Sequence, residues 1–305
     1  MPRVIPLVLV AALVGCSGAP IDTGPSPSPR AKPDTPKDSS RGAGPTNAAA
    51  PKDTHLQAKA PRTPQRLQEL IGGLADLDDD KQVRAANELR GWGKDAAAAA
   101  GPLATVIVVG GVAQREASLA ALEAILPDHA ADLHALVAGE DPAKRVAAEK
   151  KLASLSAAEG KPLVPIIDWR LAGLPDEARK PNVGYGLAGE EYAALAPLLL
   201  KWGVDFPGFQ AVAACAMVSP DVGKPLWEPA QMTLCELIRN ETFHKTAVSA
   251  LDRSLASRPS AATLKAVGEL GKDGKALAPL LETLTTDRDA EVRKAAAEAL
   301  KKVQG

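Results

Sequence analysis

The chain has 305 residues, a formal net charge of −1, 24% charged residues and only 3% aromatic ones. That balance offers no basic footprint for nucleic acid and no attraction to acidic lipid. Ala and Leu recur throughout the body, and both are strong helix formers with little strand preference, so an all-α domain is expected.

The first element is the apolar run from Val4 to Val14, preceded by Arg3 and closed by Leu13-Val14-Gly15-Cys16. It is too short to span a bilayer. A basic start, a short apolar core and a small-residue exit read as an export signal that the mature protein loses. These residues resemble a bacterial lipoprotein signal. The resemblance implies a signal peptide over 1–16, lipidation of Cys16, and a cell-envelope protein held on a membrane by its lipid with the helical domain exported. At roughly 0.8 kcal/mol per buried methylene, two or three acyl chains would anchor it almost permanently. No later stretch approaches the roughly 20 consecutive apolar residues of a spanning helix.

Residues 17–62 are rich in Pro, Ser, Thr, Ala and Lys, as in Pro25-Ser26-Pro27-Ser28-Pro29. Too few large apolar groups are present to offset an ordering cost of roughly 1–2 kcal/mol per residue, so a disordered tether is expected there. Its scattered prolines favour extended conformations that hold a domain away from a surface.

Residues 63–305 carry a helical pattern. A polar residue, a small one three later and a large apolar one seven later recur at Arg115-Ser118-Leu122 and Arg145-Ala148-Leu152, with weaker copies at Gln82-Ala85-Leu89 and Gln210-Ala213-Met217. In the last copy Val292, Ala296, Ala299, Leu300 and Val303 fall on one stripe, with Glu291, Lys294, Glu298 and Lys301 opposite, which predicts an amphipathic end helix. The hexapeptide Ala194-Leu195-Ala196-Pro197-Leu198-Leu199 returns unchanged at Ala276–Leu281. Hydrophobic-Gly-x-Asp punctuation at Trp92-Gly93-Lys94-Asp95, Trp202-Gly203-Val204-Asp205 and Leu270-Gly271-Lys272-Asp273 predicts glycine-closed helices followed by Asp caps.

These features resemble the HEAT-repeat family. The match is strongest from Gly271 to Val303, where Asp289, Val292, Arg293, Ala296 and Leu300 stand as the family pattern has them. The resemblance implies a solenoid of antiparallel helix pairs, and ten to twelve helices are expected from the apolar stripes. The Pro- and Gly-bearing run over 171–190 departs from the pattern and reads as an irregular insertion.

Little in the chain reads as chemistry. His129 and His134 would lie roughly 140° apart around a helix, so a shared metal is not expected. There is no nucleophile elbow, phosphate-cradling loop or Cys-x-x-Cys pair, and neither catalysis nor a cofactor is expected. Arg293 is expected to bond an acidic side chain such as Asp287 or Asp289, and Arg115 and Arg145 to act likewise, with Asp141 near the latter. Cys215 and Cys235 would form a disulfide if their α-carbons lay within about 7 Å, but their apolar neighbours favour buried thiols. Trp92 and Trp202 precede closing glycines and are read as covers for helix ends.

The expected function is a cell-envelope scaffold that binds another protein. Insertions on rigid repeats carry recognition, and buried aromatic and Arg side chains dominate interfaces, which singles out Trp169, Arg170 and Tyr185. A different class, an envelope enzyme or its accessory subunit with a site near 168–192, is the alternative.

Overall fold

The computed structural model describes residues 61–219 and 221–305, and every regular element among them is helical. The signal, Cys16 and nearly all of the tether lie outside the described residues. Arg62, assigned to the tether by composition, hydrogen-bonds the Asp95 carboxylate at 2.7 Å and the Gly91 carbonyl at 2.6 Å.

The chain runs as α1 (Pro64–Leu74), α2 (Asp79–Trp92), α3 (Ala100–Val109), α4 (Val112–Ile125), α5 (Ala130–Ala138), α6 (Pro142–Leu152) and the one-turn α7 (Ala157–Gly160). It continues as α8 (Val164–Glu177), α9 (Gly184–Trp202), α10 (Phe206–Cys215), α11 (Lys224–Ile238), α12 (His244–Ser257), α13 (Ala261–Glu269), α14 (Ala278–Leu284) and α15 (Ala290–Gln304). These are more segments than the stripes suggested, because short pieces such as α7 carry no stripe of their own. Starts are chemically marked: Thr63, Asp78, Asp141, Asp205 and Asp289 each accept a backbone N–H from the first turn they cap.

Helices stack in two rows, giving a solenoid-like arrangement of repeated helix-pair contacts. In one row α1 packs on α3, α3 on α8, α8 on α10, and α10 on α12. In the other, α2 packs on α4, α6 on α9, α9 on α11, α11 on α13 and α13 on α15. The row of first helices lacks a member: α5 packs between α4 and α6, leaving α3 directly against α8. The irregularity therefore falls between α4 and α8. Residues 171–190 are the end of α8, a turn at 178–183 and the start of α9, with Pro175 accommodated near the end of α8.

Neighbouring helix pairs share core at α3. From α3, Leu103 and Val106 join one buried cluster with α1, α2 and α4, while Ala104 and Ile107 join the larger cluster that continues to α15. Small residues bring the last helices close, and a Cβ added to Gly268 of α13 would meet Ala299 of α15 at 3.1 Å. Along α15, Val292, Ala295, Ala296, Ala299 and Val303 are buried. Leu300, expected on that stripe, is only half-buried, and Ala295 occupies the inward position instead.

The glycine turns form as expected, with φ of 57° at Gly93, 117° at Gly203 and 55° at Gly271. Asp205 caps the following helix. Asp95 and Asp273 instead sit within seven-residue 3-10 segments, Gly93–Ala99 and Gly271–Leu277, that lead into α3 and α14. The repeated hexapeptide is not in register with the helix pairs. Its Pro279 lies in the first turn of α14, whereas Pro197 lies well inside α9, where it removes a helical N–H.

Candidate functional site

In four of the five copies the polar residue of the recurring pattern bonds main-chain carbonyls. Arg293 donates to the carbonyls of Asp287 and Arg288 at 2.8 and 3.0 Å, Arg115 to Ile107 at 2.9 Å, Arg145 to Gly139 at 3.0 Å, and Gln82 to Asp76 at 2.6 Å. Each ties the second helix of a pair to main-chain oxygens in the last turn of the first helix or in the connection that follows it, where carbonyls lack intrahelical partners. Acidic side chains at 287, 289 and 141 are not the acceptors.

Arg145 goes further, into a buried ion cluster where α6, α8 and α9 meet. It contacts Glu191 through Nε at 3.1 Å and Nη2 at 2.9 Å, and Glu177 through Nη2 at 2.8 Å. Arg170 of α8 faces the same two carboxylates, with Nη1 3.1 Å from Glu177 and a further short contact to Glu191. Burial opposes the Arg170 charge, but Glu191 and Glu177 hold its pKa above the ordinary value. Burial would likewise raise Glu177, and the two arginines keep it below the usual carboxylate range. Glu149, one turn after Arg145, is fully buried with no hydrogen-bond donor on either oxygen. Burial and then the nearby Glu191 push it up to about 8, so it is protonated at neutral pH. Arg145, Arg170, Glu177 and Glu191 pair among themselves, and Glu149 is left without a donor.

On the other side of α8 lies a groove of about 660 Å³ walled by α3, α8 and α10. The absent first-row helix brings these three together. Val108 and Val109 of α3, Pro165, Trp169 and Ala172 of α8, and Pro207, Ala211 and Ala214 of α10 give it apolar walls. Of these, Val109 is 76% exposed. Trp169 is held in place by guanidinium groups, with Arg115 and Arg170 each 5.6 Å from its ring centroid.

Thr105, Gln210 and two carboxyls, Asp168 and Asp205, break the apolar lining. Asp168 is buried, 6% exposed, and neither oxygen receives a hydrogen bond from a protein donor. Its polar neighbour is another acid, the exposed Asp205, whose Oδ1 accepts the Gly208 N–H at 2.9 Å. Burial first and Asp205 second push Asp168 up to about 8. The two acids can bond to each other only with a proton between them. A buried acid held neutral at the floor of an apolar groove is the chemically distinctive feature of the described residues.

The residues singled out by sequence do not form one patch. Trp169 lines the groove, Arg170 points into the ion cluster, and half-buried Tyr185 packs on the core in the first turn of α9. His129 and His134 face separate carboxylates, Asp132 at 3.6 Å and Glu123 at 3.0 Å, and no cluster with metal-ligand composition occurs among the described residues. Cys215 and Cys235 are buried free thiols that burial pushes up to about 12. The walls from α3 and α10 were missed by sequence reasoning, as was Glu149. A local signal existed for both acids: Asp168 stands on the stripe of Val164 and Leu171, and Glu149 on that of Val146 and Leu152.

No protein-family model matches the chain, and comparison with curated proteins finds no match. Among solved structures, the chain is similar to the crystal structure of an engineered protein at 18% identity, covering 78% of this chain and 96% of that one with a TM-score of 0.31. A second engineered protein is also 18% identical, over 78% of this chain and 68% of the other, with a TM-score of 0.23. Similarity this low carries no argument about fold or activity.

Proposed function

We propose that the helical domain is a HEAT-type binding module of the cell envelope, held on a membrane through lipidated Cys16 and a flexible tether, and that it binds a protein partner in the groove between α3, α8 and α10. The observation that carries this reading is the groove itself. Apolar walls, a fixed indole and exposed Val109 make up a surface that gains by being covered. Trp169 is then the anchor of the interface, Arg170 holds Trp169 from behind, and Tyr185 supports the start of α9 at a distance from it. The anchor and the module are tested together: Cys16→Ser should abolish fatty-acid labelling, and Val109→Glu should abolish recovery of a stoichiometric partner while leaving labelling intact. Partner recovery unchanged by Val109→Glu would place the binding surface elsewhere.

A second reading, from a different class, is favoured by one specific observation. A buried carboxylic acid pushed up to about 8 beside a second carboxyl is an arrangement that can serve a general acid. On this reading the groove binds a small substrate, and Asp168→Asn abolishes turnover without weakening partner recovery.

A further inference from the structure

We infer that the groove recognises a lysine side chain of the partner, flanked by apolar residues, with the ammonium taken up by Asp168 and Asp205. This inference rests on the protein-binding reading above and names the chemistry of the bound segment. Charge complementarity argues for it. The titratable groups lining the groove are both acidic, and no Lys, Arg or His lines it. Asp168 is buried and neither of its oxygens accepts a hydrogen bond from a protein donor, so a matching donor at the groove floor would find free acceptor capacity there. Lysine fits better than arginine, because its compact ammonium ends an apolar four-carbon stem able to lie along Trp169 and Pro207. The face of Trp169 is already occupied by two guanidinium groups, so the indole offers its apolar edge rather than another cation site.

Proton exchange gives this contact a signature. Asp168 holds a proton in the free protein, and an ammonium beside the pair takes over as counter-charge, so binding expels that proton. The groups around Asp168 are Asp205 from α10, and, around Trp169, Arg115 from α4, bonded to the Ile107 carbonyl, and Arg170 from α8, bonded to Glu177 and Glu191. The α3 wall contributes no titratable side chain. Affinity should therefore rise with pH between about 6 and 8, where Asp168 is protonated when free, by up to tenfold per unit for one proton released, and level off above.

The test is titration calorimetry of the full chain with the blocked peptide acetyl-Leu-Val-Lys-Val-Leu-amide and its Nε-acetyl-lysine counterpart, in buffers of different ionisation heat. The lysine peptide should bind at least tenfold tighter than the acetylated one, with proton release at pH 7. Asp168→Asn should erase both the preference and the release. Asp205→Asn, which keeps a side chain able to cap α10, should reduce the preference even if Asp168→Asn fails to fold. Equal binding of the two peptides would overturn the lysine contact and leave the groove as a protein-binding surface. Binding of neither would overturn both.

Discussion

The Asp168 carboxylate of α8 lies against the Cα of Gly208 in the first turn of α10, and no side chain fits between them. Gly208 is buried inside a helix, where alanine would ordinarily be the better residue by about 1 kcal/mol. Here the close approach reverses the preference. Gly208→Ala is expected to destabilise the domain by about 1–3 kcal/mol through overpacking, measured by urea denaturation. An unchanged or raised midpoint would mean that Asp168 is free to move aside and is not held at the groove floor.

The buried acids make stability depend on pH in a direction opposite to most ion pairs. Glu149 and Asp168 have folded values of about 8 against ordinary values of 4.5 and 3.8, so between pH 5 and 8 the folded state binds protons that the unfolded state has lost. Stability should fall as pH rises across that window, by up to about 1.4 kcal/mol per unit for each group. Glu149→Gln, which cannot ionise, should flatten the dependence and raise the melting temperature at pH 8. A melting temperature that climbs from pH 5 to 8 in the parent protein would contradict the burial of these acids.

Cys215 lies in α10 with its thiol directed at the Leu171 carbonyl, 3.5 Å away, and Cys235 lies buried in α11. Thiols pushed up to about 12 and shielded from solvent react with disulfide reagents only when the fold opens. The native domain should show near-zero labelling over minutes, and both thiols should react at once in denaturant. Rapid labelling of either in the native state would reveal local opening between α10 and α11.

Side-chain burial separates two leucines of the last helix pair. Leu281 of α14 is fully buried and should cost about 2–5 kcal/mol on replacement by Ala. Leu300 is half-covered and should cost clearly less. Comparable losses at the two sites would return Leu300 to the core stripe of α15.

What the sequence made legible was mostly local. Helical composition, the left-handed Gly93, Gly203 and Gly271, and the spacing that places Arg115, Arg145 and Arg293 on second helices all follow from residues within a turn or two of each other. The acceptors of those arginines were misread because side-chain carboxylates are visible in a sequence, whereas free carbonyls at a helix end depend on where that helix stops. The groove was illegible for a related reason. It depends on α5 standing aside so that α3 meets α8, and on Asp168 meeting Asp205 and Gly208 across a long separation in the chain. Trp169 could be singled out as an unusual residue, but not its walls. Arg170 looked like an interface anchor until Glu177 and Glu191 were brought to it.

Photo-crosslinking in intact envelopes tests the binding surface most directly. A benzophenone amino acid is placed at Val109 on the groove wall, and in a second protein at Leu77, which is fully exposed in the turn between α1 and α2. Expected is one discrete crosslinked protein species from position 109, lost on adding Trp169→Ala, and none from position 77. Equal crosslinking at both positions, or crosslinking at 77 alone, would contradict the groove between α3, α8 and α10 as the place where this protein meets its partner.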